Sequence, residues 1–277
     1  MRSFIALCRK RKLVLFGALS LLVLATLALF GPMLSPYDAG ELDVPSRLLS
    51  PSVRHWCGTD EFGRDMFTRV VEGGRWSMLI GAMVVAFSTG AGVLIGLCAG
   101  FFPRLDAPIM RVVDALMSFP DILLAIALVA TLGASVRSVV LALSIVYTPR
   151  VARVVRAATL VVREMLFVEA ARALGVPTIR IVFVHVLGNM SSPILVQASF
   201  IFAYAMLAEA GLSFLGMGVP PEVPTWGAMV ASGQAFTDQA IWLVLFPGLA
   251  IMLAAVSLQM VGDGLRDMLD PRLRKSL

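Results

Sequence analysis

Residues 167–185 read FVEAARALGVPTIRIVFVH. This is the longest part of the second half of the chain that is neither uniformly apolar nor a simple turn. Within it Glu169, Arg172 and Arg180 sit among Ala, Val and Ile at helical spacing. Gly175 is a helix stop, because glycine enters the left-handed region without a Cβ penalty. Pro177 suits the first position of a following helix, where its missing N–H has no partner to lose. The stretch therefore predicts helix, sharp break, helix. Long hydrocarbon-like runs flank it on both sides. A short helical pair between two membrane spans is a protrusion, and such a protrusion needs a socket on another molecule.

The flanking composition is that of a polytopic membrane protein. Hydrophobic residues make up 58% of the chain and charged residues 15%, against roughly 45–50% and about 25% in a soluble domain. Mean hydropathy is +0.88, and several apolar runs approach the ~20 residues that a bilayer core demands. The expected fold class is an all-α membrane protein with six transmembrane helices.

Outward from the opening stretch, the spans fall as follows. Arg2, Arg9, Lys10, Arg11 and Lys12 precede a charge-free run at 13–30, read as an uncleaved first span because Gly31-Pro32 follows where a small-residue cleavage site would stand. Residues 1–34 are thus a tail and first span. Residues 35–75 are polar and turn-rich, forming an outer segment with an amphipathic interfacial helix and with Asp60 or Asp65 as a cap. Residues 76–264 form a five-span core, its coupling loop at about 163–186, and 265–277 a basic tail. The second span, 76–102, carries Gly92, Gly96 and Gly100 four apart, a stripe that lets a neighbouring backbone approach. The third span is expected at 122–132 and the fourth at 138–149, running on as a helix with Arg150, Arg153 and Arg156 on one face. Those arginines are expected to snorkel to head groups. The fifth and sixth spans are expected at 186–208 and 239–262.

Cation placement sets the orientation. Of the 23 lysines and arginines, only Arg47, Arg54, Arg64, Arg69, Arg75 and Arg137 fall on the outer side of this topology. The positive-inside rule then puts both termini in the cytoplasm. The same distribution accounts for the net charge of +5 without nucleic acid. Trp76, Trp226 and Trp242 fall near the outer boundary, as interfacial aromatics do. Cys8, Cys98 and Cys57 occupy the tail, a span and the outer loop, so no disulfide is expected. His55 and Cys57 are too few ligands for structural zinc, and no metal is expected.

Catalysis finds little support. There are two histidines, and no nucleophile–base or metal constellation is recognisable. A phosphate loop ends in Gly-Lys-Ser/Thr, whereas Lys10, Lys12 and Lys275 each follow an arginine. The chain has no nucleotide site or cofactor of its own, and any ATP-driven work must come from another polypeptide. Asp114, Asp121 and Glu209 are the acids nearest the spans and stand as candidates for a direct transport role, although all three are expected at span ends close to water.

Glu169-Ala170-Ala171 followed by Gly175 resembles the EAA loop of ABC-importer membrane subunits. The resemblance extends along almost the whole chain, to the second (C-type) permease of the dipeptide/oligopeptide/nickel importers. It is carried by GTDEFGRD at 58–65, RVVDALMSFPDILLA at 111–125, VEAARALG at 168–175, EAGLSFLGMGVPP at 209–221, Pro224, Trp226-Gly227, Pro247-Gly248-Leu249-Ala250, and GDGLRDMLDPRL at 262–273. The chain departs from the family at Leu187-Gly188-Asn189, where Leu-Pro-Asn is usual, and at Gln259, where Asn is usual.

The resemblance implies a type I importer permease (MetI-like) fold in a bacterial inner membrane and a heterodimer with a homologous partner permease. It implies two cytoplasmic ATPase subunits that bind the ATP, and a periplasmic or lipoprotein solute-binding protein. Glu169, Ala170, Ala171 and Arg172 would belong to the coupling helix and Gly175 to its turn. Gly58, Thr59, Asp60, Gly63, Arg64, Asp65, Pro220, Pro221 and Trp226 would be contact surfaces for the binding protein or the partner permease. The cargo implied is peptide, with nickel second, since 42–60 also resembles the nickel branch. A proton-coupled carrier is the rival from another class. It would show internal repeats and midplane acids, and neither stands out.

Overall fold

The computed structural model describes residues 12–220 and 222–269. Cys8, the tail cations before Lys12, Pro221 and the basic end from Asp270 lie outside the described residues. Helix α1 (Lys12–Phe30) is apolar all round and rises about 28 Å, close to the ~30 Å of a bilayer core. Helix α2 (Met66–Phe101) starts behind Asp65, whose carboxylate accepts the Thr68 N–H at 2.9 Å. Helix α3 (Pro103–Met117) opens on proline. Helix α4 (Asp121–Leu132) follows Pro120, and α5 (Val136–Val162) follows Ser135, whose Oγ caps Ser138.

Helix α6 (Leu166–Ala173) and the single turn α7 (Thr178–Arg180) carry the opening stretch. From α7 the chain continues through a π-helical segment (Ile181–Val186), a 3-10 segment (Leu187–Met190) and α8 (Ser191–Phe214). Helix α9 (Trp226–Gly233) is short, and α10 (Trp242–Leu269) ends the described chain.

Five helical runs are long and apolar enough to cross a membrane: α1, α2, α5, Thr178–Phe214 and α10. The chain is a multi-pass membrane protein. A sixth crossing is made only by α3 and α4 together, which meet at 89°. Helix α4 rises only about 18 Å, so the span expected at 122–132 is one arm of a bent pair. Pro120 drives Phe119 out of the helical region and fixes the bend there. The second span also begins earlier than expected, because Asp65 nucleates the helix ten residues before Trp76.

The bundle has two ends. The knot end gathers residues 31–65, the α4–α5 turn and the α8–α9 connection. The knuckle end gathers α3 and residues 163–190. At the knot end no interfacial helix forms among the described residues; the chain is wound into two 3-10 turns and one isolated bridge, Thr59–Asp65.

One apolar core lies between α2, α4, α5, α6 and α8, with Val84, Leu143, Val155, Val168 and Ile201 among its members. A second joins α1, α2, α8, α9 and α10 around Leu24, Met206, Trp226 and Leu258.

The glycine stripe serves the packing expected of it. A Cβ at Gly92 would lie 2.4 Å from Val151 Cβ, at Gly96 2.6 Å from the Ala152 carbonyl oxygen, and at Gly100 2.6 Å from Thr159 Cβ. Helix α5 is seated against the backbone of α2 along three turns. Gly90, on the same helix, has nothing within 4 Å of that position. Gly96→Ala should therefore cost about 1–3 kcal/mol through enforced separation of the helices. Gly90→Ala should be neutral or gain up to about 1 kcal/mol from helix propensity. Thermal unfolding of both variants in detergent checks the contrast; equal shifts would remove the close-approach explanation.

Candidate functional site

The knuckle is built from both sides of its break. Helix α6 ends in a closed hydrogen-bonded cap: the Gly175 N–H donates to Arg172 O and the Val176 N–H to Ala171 O, both at 3.0 Å. Gly175 has φ of +74°, which only glycine adopts without strain. Pro177 sits one place before the next turn, as its cap residue, and the Arg180 N–H donates to its carbonyl. The break is thus hydrogen-bonded on both sides.

Burial divides α6 into two faces. Val168 and Ala171 are buried and join the core with Ile181, Val182 and Val186. Glu169, Ala170, Arg172 and Ala173 are exposed. Ala171 is therefore an anchor into its own chain, and Ala170 is the small residue presented outward. Leu166 and Leu174, both 82% exposed, flank the presented face, with Phe167 and Ile179 also exposed nearby. Leu174 lies within the VEAARALG motif, but neither it nor the other apolar residues is singled out by the sequence.

Two arginines brace the knuckle to α2. Arg163 Nη1 donates to the Gly100 carbonyl at 2.7 Å, a cation at a helix C-terminus. The Arg172 guanidinium lies 5.2 Å from the centre of the Phe101 ring, a cation–π distance.

Beside the knuckle runs a ladder of ion pairs between the bent pair and α5. Arg150 meets Asp121; Arg153 Nη2 is 2.6 Å from Asp114 Oδ1. Arg156 grips Asp106 with two nitrogens, Nη2 lying 2.6 Å from Oδ2. The arginines expected to snorkel are instead partners of the chain's own acids. Asp114 and Asp121 are occupied as rungs. The sequence signal was three acids near two-turn spacing facing three arginines at one-turn spacing. Arg150 also lies 5.5 Å from the ring centres of both Tyr147 and Tyr204.

The GTDEFGRD motif is a knot. Asp60 accepts the Phe62 and Arg64 N–H groups at 2.9 Å and Arg64 Nε at 2.6 Å. Asp65 caps α2 and reaches His55 Nδ1 at 3.0 Å. Trp242 Nε1 donates to the Thr59 carbonyl at 3.1 Å, tying the knot to α10. A Cβ at Gly63 would fall 1.7 Å from Asp43 O. Gly58, Thr59, Asp60, Gly63 and Asp65 are buried, so the motif's surface is reduced to Phe62, Glu61 and part of Arg64.

Trp226 is buried as well. Its indole donates to Val70 O at 2.7 Å and its backbone N–H to Ser77 Oγ at 3.1 Å. It wedges α9 against α2 and is neither an interfacial aromatic nor a contact surface. Glu209, expected near water, is 2% exposed and accepts from Ser213 at 2.9 Å and Thr225 at 2.8 Å. It clasps α8 to the start of α9. Pro220 remains half-buried at the rim of this connection.

Cys57 lies beside Asp65 in the knot, and burial, aided by that carboxylate, pushes its thiol up to about 11. Thiolate chemistry at Cys57 should be suppressed about 100-fold at pH 8 relative to an ordinary exposed cysteine. Maleimide labelling should accelerate only as pH rises toward 11; fast labelling at pH 8 would contradict this burial.

Residues 90–275 match the family described as binding-protein-dependent transport system inner membrane component. This chain belongs to that family. Residues 3–51 of the permease match the N-terminal TM domain of oligopeptide transport permease C. The permease is 45% identical over 265 residues to a Brucella suis biovar 1 protein named for a peptide transport system permease, covering 96% of this chain and 90% of that one. It is 42% identical over 267 residues to the dipeptide transport system permease protein of Alkalihalophilus pseudofirmus, covering 96% and 88%. A chain of the MetNI methionine ABC transporter, solved in inward facing conformations, shares the fold with a TM-score of 0.54 at 19% identity. That likeness covers 70% of the permease and 94% of the MetNI chain. The expected MetI-like fold is thereby borne out, and the protein is a C-type permease subunit of an ABC importer.

Proposed function

We propose that the permease forms, with a homologous partner permease, the route by which di- and oligopeptides enter a bacterial cell across the inner membrane. Both termini and the knuckle face the cytosol in this reading, and the knot faces outward toward a solute-binding protein. Two ATPase subunits bind and hydrolyse ATP; this chain contributes no catalytic group and no cofactor. The observation that carries the reading is the presented face of α6, an exposed apolar protrusion anchored through Val168 and Ala171 into the core of the spans. Large exposed apolar surface beside charged residues marks a protein interface.

In that socket Leu166, Ala170 and Leu174 make the apolar contact, and Glu169 and Arg172 make polar contacts at its rim. Gly175 holds the angle of the break, and Ala171 tethers the helix. At the outer end the motif at 58–65 is the frame of a docking platform, with Phe62 its exposed tip. Peptide cargo is supported by the names of the relatives. Glu209, Asp114 and Asp121 hold structure in place and do not carry protons.

The test is uptake of a labelled dipeptide by vesicles containing the permease, its partner permease and both ATPases, with binding protein added outside. Import that requires ATP inside the vesicle and persists without a proton gradient is the expected result. Import driven by a proton gradient with the ATPases omitted would overturn the reading, and uptake of nickel but of no peptide would overturn the cargo.

A further inference from the structure

At the knot end lies an open cavity of about 480 Å³, within the ~300–1,000 Å³ range of small-ligand sites. Its wall comes from five parts of the chain: the knot, the start of α2 at Arg69, the α4–α5 turn at Ala134, the end of α8 with the loop beyond it, and α9. It therefore sits over the bent pair, where the sixth crossing is only one short helix deep.

The chemistry of the wall is one-sided. Ser213 Oγ donates its proton to Glu209 and Ser232 Oγ donates to Met229 O, so neither hydroxyl proton is free for a ligand. The two cations of the wall are engaged behind it. Arg64 Nε bonds Asp60, and Arg69 lies 3.5 Å from the same carboxylate and donates to Ala39 O. Glu61 is 3.8 Å from Arg64. Glu222 is exposed and forms no ion pair among the described residues. Glu61 and Glu222 share the wall with Arg64 and Arg69, and because both guanidinium groups are held by Asp60 behind the wall, the carboxylate left without an ion pair is Glu222.

We propose that this cavity is a cargo station of the permease itself, in which Glu222 favours peptides bearing an added ammonium or guanidinium group. The inference rests on the peptide reading and adds that selection is not left to the binding protein alone. A cationic side chain entering the cavity gains a solvent-screened attraction from Glu222. Reversal of that charge should change the preference between cationic and anionic cargo by about 5- to 10-fold.

The experiment uses the complete transporter in vesicles with one fixed binding protein and compares Glu222→Lys and Glu222→Gln with the wild type. The readout is the ratio of initial uptake rates for Ala-Lys and Ala-Glu. Because the binding protein is the same throughout, a change in this ratio arises in the permease. The ratio should fall about 5- to 10-fold in Glu222→Lys and by an intermediate factor in Glu222→Gln, with the binding-protein concentration for half-maximal ATPase stimulation unchanged. An unaltered ratio in a wild type and variant that both import would overturn the station alone. So would an unaltered ratio with weakened binding-protein stimulation, which would make Glu222 a docking residue. A wild-type complex that imports neither dipeptide would overturn the peptide reading and the station with it.

Discussion

Replacing Leu166 and Leu174 with glutamate should lower ATP-driven uptake at least about 100-fold, in a permease that still inserts and folds. Both side chains are 82% exposed, so the substitutions remove almost no internal packing. On the proposed function, what they remove is the apolar contact that the knuckle offers to another subunit. Each leucine buried in a socket contributes about 1.5–3 kcal/mol, and each glutamate forced there adds the cost of burying an unpaired charge. Co-purification of the ATPases with the permease should fall in parallel, while yield and unfolding temperature stay near wild type. The alanine pair Leu166→Ala, Leu174→Ala should show the same pattern to a smaller degree. Normal uptake with both glutamates in place would mean that the knuckle is not where force enters. Loss of folding would mean that the two leucines are held by contacts within the chain.

The ladder supplies the second large effect. Asp106→Arg and Arg156→Asp, made singly, should each cut uptake at least about tenfold and lower the unfolding temperature, because each sets like charges in a two-pronged contact. The double exchange should recover most of the loss, since it restores the pair with its polarity reversed. The rungs differ in how much they can matter. Arg153 is half exposed and Asp114 more than half, so Asp114→Ala should cost no more than about 1 kcal/mol. Arg156 and Asp106 are half-buried and doubly bonded, so their exchange carries the signal. A double variant whose loss is the product of the two single losses would show that the two residues act independently.

Much of this fold could be read from residue order because a bilayer leaves few choices. The first apolar run, the break at Gly175 and the glycine stripe from Gly92 to Gly100 each follow from one local rule, and each stands where those rules put it. The bent pair did not follow, because hydropathy weighs α4 as a span while its length does not suffice. The ladder was missed for a different reason. Arg150, Arg153 and Arg156 were judged on their own helix, and their partners are 29 to 50 residues away in sequence. Trp226 and the motif at 58–65 were read as surface because they are polar or aromatic and lie between spans. Their polar atoms are in fact consumed inside the chain, which a linear reading cannot see. Nothing in the sequence marks Leu166 or Leu174 as exposed; only the burial of Val168 and Ala171 on the opposite face brings them out.

Helix α2 is 36 residues long and has no proline within it, unlike α3, α5 and α10. At about 54 Å it is a strut longer than the bilayer is thick. One end is riveted to the knot by Asp65, the other to the root of the knuckle by Arg163. A strut without a joint transmits displacement and does not absorb it. Occupancy on the outside and the cycle of the engine within are therefore expected to be felt by each other through a single stiff member.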